Sequence, residues 1–134
     1  MPPRAIRRGD QVVLKVAYDG REFAGWQLQP GAATVQGALE QALARLHGVA
    51  DQERVAVVGA GRTDSGVHAL GQVAAYRAPG DRDVEELELG LDALLPPAVR
   101  VLAVTVAAPT FHPCRAALGK LYRYRIVNRR TVLP

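Results

Sequence analysis

Asp64 is the side chain in this sequence best placed to do covalent chemistry. It lies in the run Gly61-Arg62-Thr63-Asp64-Ser65-Gly66-Val67-His68-Ala69, held between an arginine and several glycines. The Arg62 guanidinium suits an anionic nucleophile, and the glycines let another molecule come close to the backbone. The same residues also make an Asp-Gly-rich hairpin turn, in which Asp64 bonds its own backbone and Gly66 takes a positive φ. Spacing alone leaves both readings open. Phosphate-loop readings fail. After Gly59-Ala60-Gly61, a dinucleotide fingerprint needs a glycine where Asp64 stands and a helix where the sequence predicts a strand. A triphosphate-binding loop needs a lysine that does not follow these glycines.

Two apolar runs position this loop. Val55-Ala56-Val57-Val58 leads in and the alternating Gln72-Val73-Ala74-Ala75-Tyr76 leads out, which predicts strands near 54–58 and 72–77 with Asp64 at the tip between them. Upstream, Val12 to Tyr18 predicts a first strand, after a basic start over residues 1–10 (Pro2, Pro3, Arg4, Arg7, Arg8) that predicts a frayed tail. The glycine-rich stretch from Asp19 to Gly31 reads as a loop anchored in the core by Phe23 and Trp26. Thr34 caps a helix with Val35, Leu39, Ala42, Leu43 and Leu46 on its apolar face, ending at His47 and Gly48. Asp83 with Glu86 starts a second helix that turns Leu87, Leu91, Leu94 and Leu95 inward and stops at Pro96-Pro97. Val99 to Ala107 completes the order strand, helix, strand, strand, helix, strand. That order is the α+β ferredoxin-like (βαββαβ) unit, an antiparallel sheet with two helices on one face, here spanning residues 11–108. Beyond it, Lys120 to Asn128 predicts one more strand with Tyr122, Tyr124 and Ile126 on one face and Leu121, Arg123, Arg125 and Val127 on the other.

At 134 residues and 49% hydrophobic, the chain can bury one sizeable core but not two. The single Cys114 leaves no internal disulfide, and no apolar run reaches the length of a signal or membrane segment. A reduced, cytoplasmic protein is therefore expected. The net charge of +4 is unevenly spread: Asp81, Asp83, Glu85, Glu86, Glu88 and Asp92 cluster together, whereas Arg115, Lys120, Arg123, Arg125, Arg129 and Arg130 meet no acid after residue 111. Only Lys15 and Lys120 are lysines among the 17 basic residues, and the planar arginine fork suits phosphate and base stacking. A basic end interleaved with tyrosines points to a polyanion such as RNA. His112 and Cys114 supply too few ligands for a metal site. On residue type alone, His68 packs under the loop rather than acting in catalysis.

Four stretches together resemble the tRNA pseudouridine synthase A family. They are Tyr18-Asp19-Gly20 through Phe23-Ala24-Gly25-Trp26-Gln27-Leu28-Gln29-Pro30, Thr34-Val35-Gln36-Gly37-Ala38-Leu39-Glu40, the Gly61–Ala69 loop, and Lys120-Leu121-Tyr122-Arg123-Tyr124, matching in order and spacing over roughly residues 11 to 128. The resemblance implies that Asp64 is the catalytic aspartate and that Arg62 pairs with it and helps hold the place of a flipped nucleotide. It also implies that Tyr122 stacks on the target uracil and that Gln27, Arg123 and His68 lie by the substrate. The implied reaction converts uridine to pseudouridine on the 3′ side of the tRNA anticodon stem and loop, at tRNA positions 38–40, with no metal and no cofactor. Homodimers with RNA lying across both subunits are implied in the same way.

Two departures from the family pattern stand out. A Phe-x-Ala-Arg type run is replaced by Phe111-His112-Pro113-Cys114-Arg115, so the RNA contact of the family's usual arginine is either lost or shifted to Arg115. Family members also carry a second, similar domain, with the active site between the two. The chain is thus expected to be the N-terminal half of an enzyme, with residues 109–134 forming a linker and the first strand of a truncated second domain, and with little or no activity alone. The competing reading is an RNA-recognition motif that binds without chemistry. It needs surface aromatics on the central sheet, where strand 72–77 offers only Tyr76.

Overall fold

A computed structural model of the chain describes residues 5–50, 53–115, 119, 122 and 123. Its centre is β2 (Gln11–Tyr18), which turns Val12, Leu14, Val16 and Tyr18 into the core at every second position. β2 pairs antiparallel on one side with β4 (Ala69–Arg77), placing Leu14 opposite Ala74, and on the other with β6 (Val99–Ala107), placing Leu14 opposite Val104. β3 (Val57–Gly59) adds to the far edge of β4, so the sheet runs β3-β4-β2-β6. This is the expected ferredoxin-like α+β arrangement. α1 (Val35–Leu46) and α2 (Val84–Leu94) lay Val35, Leu39, Leu43, Leu87 and Leu91, all fully buried, on one sheet face. Burying such a side chain contributes about 1.5–3 kcal/mol each, so this shared layer is what fixes the helices to the sheet.

The helix ends are set locally, as the residues predict. Thr34 Oγ1 accepts the Gly37 N–H at 3.1 Å, and an Asp83 carboxylate oxygen accepts the Glu86 N–H at 3.0 Å. Gly48 follows α1 at a φ of 66°. His47 closes the helix, and its Nε2 lies 2.8 Å from the Tyr76 hydroxyl inside the core.

Three boundaries differ from expectation. Residues 5–10 do not fray: β1 (Ala5–Ile6) pairs with β5 (Arg82–Asp83), Ile6 is fully buried, and Asp81 accepts the Arg8 N–H at 2.8 Å. An apolar side chain that reaches the core and an acidic partner for the basic residues outweigh the proline-rich composition. β4 starts at Ala69 rather than 72, because Tyr18 at the far end of β2 gives it a partner there. β3 is shorter than the apolar run that feeds it, pairing only from Val57. The fifth strand expected over 120–128 lies outside the described residues, Tyr122 and Arg123 excepted. After β6, a turn closed by the Phe111 N–H to the Ala108 carbonyl at 2.9 Å brings Phe111, His112 and a buried Pro113 beside Gln11, Val58 and Ala75. His112 Nδ1 accepts the Cys114 N–H at 3.2 Å.

Candidate active site

Asp64 sits on the turn between β3 and β4, residues 60–68, and a second loop, following β2, is docked against that turn. The docking is mostly backbone to backbone. The Trp26 N–H donates to the Thr63 carbonyl at 3.0 Å, and the Phe23 carbonyl accepts from the Gly66 N–H at 3.3 Å and from the Ser65 hydroxyl at 3.3 Å. Only glycine permits this approach: a Cβ on Gly20 would lie 2.0 Å from the Val67 carbonyl oxygen, and one on Gly25 would lie 2.7 Å from that of Thr63. Gly25 also holds a φ of 99°. The Trp26 ring is buried beneath Gly59, where any Cβ would meet it at 2.8 Å. Phe23 and Trp26 are core anchors, as their types predict.

The loop is itself held by α1. The first helical N–H groups, which lack intrahelical partners, are taken by it: Val35 N–H donates to the Gly25 carbonyl at 3.2 Å and Gln36 N–H to that of Trp26 at 3.0 Å. The Gln36 side chain accepts the Leu28 N–H at 2.8 Å and donates to the Val57 carbonyl at 2.8 Å, so one amide joins loop, helix and β3. Beside it the buried Glu40 carboxylate accepts from Arg54 Nη2 at 2.8 Å and from the Val57 N–H at 3.0 Å. A buried carboxylate needs such partners. Sequence reasoning did not single out Gln36, Glu40 or Arg54 for this role. The signal available was an acid at helical spacing from Leu43 on the apolar face of α1.

Inside the turn, the Tyr18 hydroxyl lies 2.7 Å from Thr63 Oγ1, and Gln72 Nε2 donates to the Gly61 carbonyl at 2.8 Å. Burial pushes the Tyr18 hydroxyl above its ordinary pKa, hydrogen bonding by Thr63 and Gln72 draws it back, and the nearby Tyr122 phenol raises it further. Tyr122 itself is 59% exposed. Tyr18, Thr63 and Gln72 were also missed as site residues, since nothing in their spacing marks a contact across 45 residues.

Arg62 and Asp64 project from this tied frame as exposed side chains, and among the described residues no ion pair joins them. Gln27 is exposed next to buried Trp26, and Arg123 and Arg115 are exposed. His68 does not pack under the loop. It lies at the rim, mostly exposed, where its Nδ1 accepts the Gly20 N–H at 3.0 Å. Tyr76, the aromatic that a binding-only sheet would present, is buried instead. Among the described residues, no three side chains of His, Cys, Asp or Glu converge as metal ligands, and no helix is long and apolar enough to cross a membrane. Hollows of about 340 Å³ at β1, β5 and the start of α2 and about 170 Å³ beside Phe111 lie away from Asp64. The arrangement presents a carboxylate and a guanidinium on a braced, open surface suited to a large substrate.

A family model described as tRNA pseudouridine synthase matches residues 15–114. The chain is similar to tRNA pseudouridine synthase A of Myxococcus xanthus, at 46% identity over 121 residues that cover 90% of this chain and 44% of that one. Against the same-named protein of Solibacter usitatus, identity is 43% over 92% of this chain and 50% of the relative. Against that of Solidesulfovibrio magneticus, identity is 51% over 87% of this chain and 42% of the relative. The chain thus spans half or less of the length of these curated relatives.

Proposed function

The chain belongs to the tRNA pseudouridine synthase family, and from that premise we propose that it supplies the Asp64-bearing half of an enzyme that isomerises uridine to pseudouridine in the anticodon stem and loop of tRNA. The observation that carries the reading is the turn itself. Its backbone is clasped by the Gly20–Trp26 loop, while Arg62 and Asp64 are left exposed at its tip.

The chemistry needs little more from the protein. The N1–C1′ bond breaks, the detached base turns, and C5 bonds to C1′; the proton lost from C5 is balanced by one gained at N1. No electrons leave the substrate, so the carboxylate of Asp64 suffices as the covalent participant, adding either to C6 of the base or to C1′ of the sugar. The target base must first leave the RNA stack. Tyr122 offers an exposed ring to replace that stacking, worth about 1–3 kcal/mol per base. Arg62 fills the vacated place in the RNA, and Gln27, Arg115 and Arg123 contact the backbone and base edges, with affinity that falls as salt rises. A homodimer, with tRNA lying across both subunits, belongs to the same reading.

The test is pseudouridine formation on an unmodified tRNA transcript. It is run with the 134-residue chain and with the chain joined to the C-terminal half of the Myxococcus xanthus relative, each with Asp64→Asn beside it. Turnover that vanishes in the Asp64→Asn protein, with tRNA binding retained, is the expected result. Turnover that survives the substitution, or tRNA bound equally well by a protein with Arg62, Arg115 and Arg123 all neutralised, overturns the reading.

A further inference from the structure

One ring atom at the edge of the site has two partners that it cannot serve at once. His68 Nδ1 accepts the Gly20 N–H at 3.0 Å, and the same atom lies 3.3 Å from an Asp19 carboxylate oxygen. To accept, Nδ1 must hold a lone pair, so the neutral ring carries its proton on Nε2. A second proton can only go to Nδ1. There it suits Asp19 and opposes the Gly20 N–H, donor against donor. Asp19 is a carboxylate throughout the range in which an imidazole titrates, because hydrogen bonds from the Arg21 side chain and backbone lower it to about 2. The charged groups facing the ring from the loop after β2 are Asp19 and, bonded to it, Arg21; its own turn contributes Arg62 and Asp64 as exposed neighbours in sequence.

Gly20 begins the loop that clasps the Asp64 turn, and its backbone is pressed against the Val67 carbonyl. We infer that His68 is a positioning residue: its neutral imidazole latches the Gly20–Trp26 loop onto the Asp64 turn, and protonation moves Nδ1 from Gly20 to Asp19 and opens the latch. The latch is closed above the imidazole titration and opens as pH falls through it. Its consequence for catalysis rests on the synthase reading; the latch itself does not.

The structural arm of the test uses the 134-residue chain with nitrogen-15-labelled histidine and backbone. Across about pH 5 to 8, the Gly20 amide proton moves upfield in step with protonation of His68, and at high pH the ring nitrogens report the Nε2–H tautomer. His68→Asn supplies a carbonyl acceptor that does not titrate, so its Gly20 amide stays in the bonded position at all pH values. His68→Ala shows the released position at all pH values. A Gly20 amide indifferent to His68, or an Nδ1–H tautomer at high pH, overturns the inference. In the tRNA assay, turnover falls on the acid side in step with the upfield movement of the Gly20 amide, towards the level of the released state. His68→Asn removes that acid limb, and His68→Ala lowers kcat at every pH with KM little changed. An acid limb that persists in His68→Asn counts against the latch as the gate. Absence of turnover in every protein, the one joined to a C-terminal half included, counts against the synthase reading and leaves the amide result standing.

Discussion

The bond between Tyr18 and Thr63 gives the sharpest test of how the Asp64 turn is held. Tyr18 is 4% exposed and its hydroxyl lies 2.7 Å from Thr63 Oγ1, one residue before Asp64. Tyr18→Phe removes that hydroxyl and keeps the ring, including its tilted contact with Trp26 at a centroid distance of 6.2 Å. A neutral hydrogen bond contributes about 1 kcal/mol net, and leaving a buried partner unsatisfied costs about 1–3 kcal/mol. Thr63 is only part-buried, so water replaces some of what is lost and the cost falls near about 1 kcal/mol. In a chain of this length that lowers Tm by about 3–5 °C. Thr63→Val deletes the same bond from the other side at a similar cost. Both substitutions remove the Tyr18–Thr63 bond, and Tyr18→Phe also removes the Gln72 contact with the hydroxyl, so the double variant is expected to be hardly worse than Tyr18→Phe alone, a coupling of about 1 kcal/mol in urea unfolding at constant slope. In the tRNA assay the singles lower kcat with KM held, and the double adds nothing. Costs that sum to within about 0.3 kcal/mol would show that the two hydroxyls act independently and that the bond does not brace the turn.

Gly25→Ala is expected to cost more than Gly9→Ala. Both glycines hold a positive φ, but a Cβ on Gly25 meets the Thr63 carbonyl at 2.7 Å whereas one on Gly9 meets open space. The backbone alone costs about 1–2 kcal/mol in each, and the excess in Gly25→Ala should appear as faster hydrogen exchange at the Trp26 amide. Arg54→Ala leaves the buried Glu40 carboxylate with only the Val57 and Gln36 donors. Its expected cost in urea unfolding is about 2 kcal/mol, below that of a fully buried pair because Arg54 is half exposed; no change would mark the pair as a surface contact. Burial, with Arg82 nearby, lowers the pKa of His47 from its ordinary 6.5. The unfolded chain therefore takes up that proton first, and the stability held above pH 6.5 declines as pH falls below it. His47→Phe should flatten this part of a Tm-against-pH curve, although it lowers Tm at neutral pH by stranding the buried Tyr76 hydroxyl.

What could be read from the sequence was what is local. Val12 to Tyr18 alternates because one face of β2 is core, and Thr34 and Asp83 announce helix starts because their side chains replace missing backbone partners within three residues. The Asp64 run, with the Gly20–Trp26 stretch, was legible as a resemblance. What those residues do to each other was not. The clasp consists of backbone N–H and carbonyl groups, which every residue carries, so no side-chain pattern records which loop docks on which. Glycine marks the close approach at Gly20 and Gly25 but not its partner. The pairing of β1 with β5 escaped for a related reason: two-residue strands show no period, and Ile6 alone among basic residues and prolines carried the signal.

The turn divides its labour by position. The Gly61 carbonyl is held by Gln72, Thr63 by Tyr18 and Trp26, Ser65 and Gly66 by Phe23, Val67 by the Asp64 carbonyl, and His68 by Gly20. Among the described residues, the side chains of Arg62 and Asp64 are the ones that this frame leaves unbonded. On the proposed reading, the Asp64 carboxylate works by being presented at a fixed place to a substrate that brings its own walls. Rigidity for that presentation is supplied from a different loop, and that loop is in turn fixed by the first amides of α1. Substitutions along this route, at Gly25, Trp26 or Gln36, should therefore lower kcat in proportion to how far they loosen the turn while tRNA binding through the exposed arginines persists. A variant at Gln36 that weakened tRNA binding and left kcat intact would contradict that division.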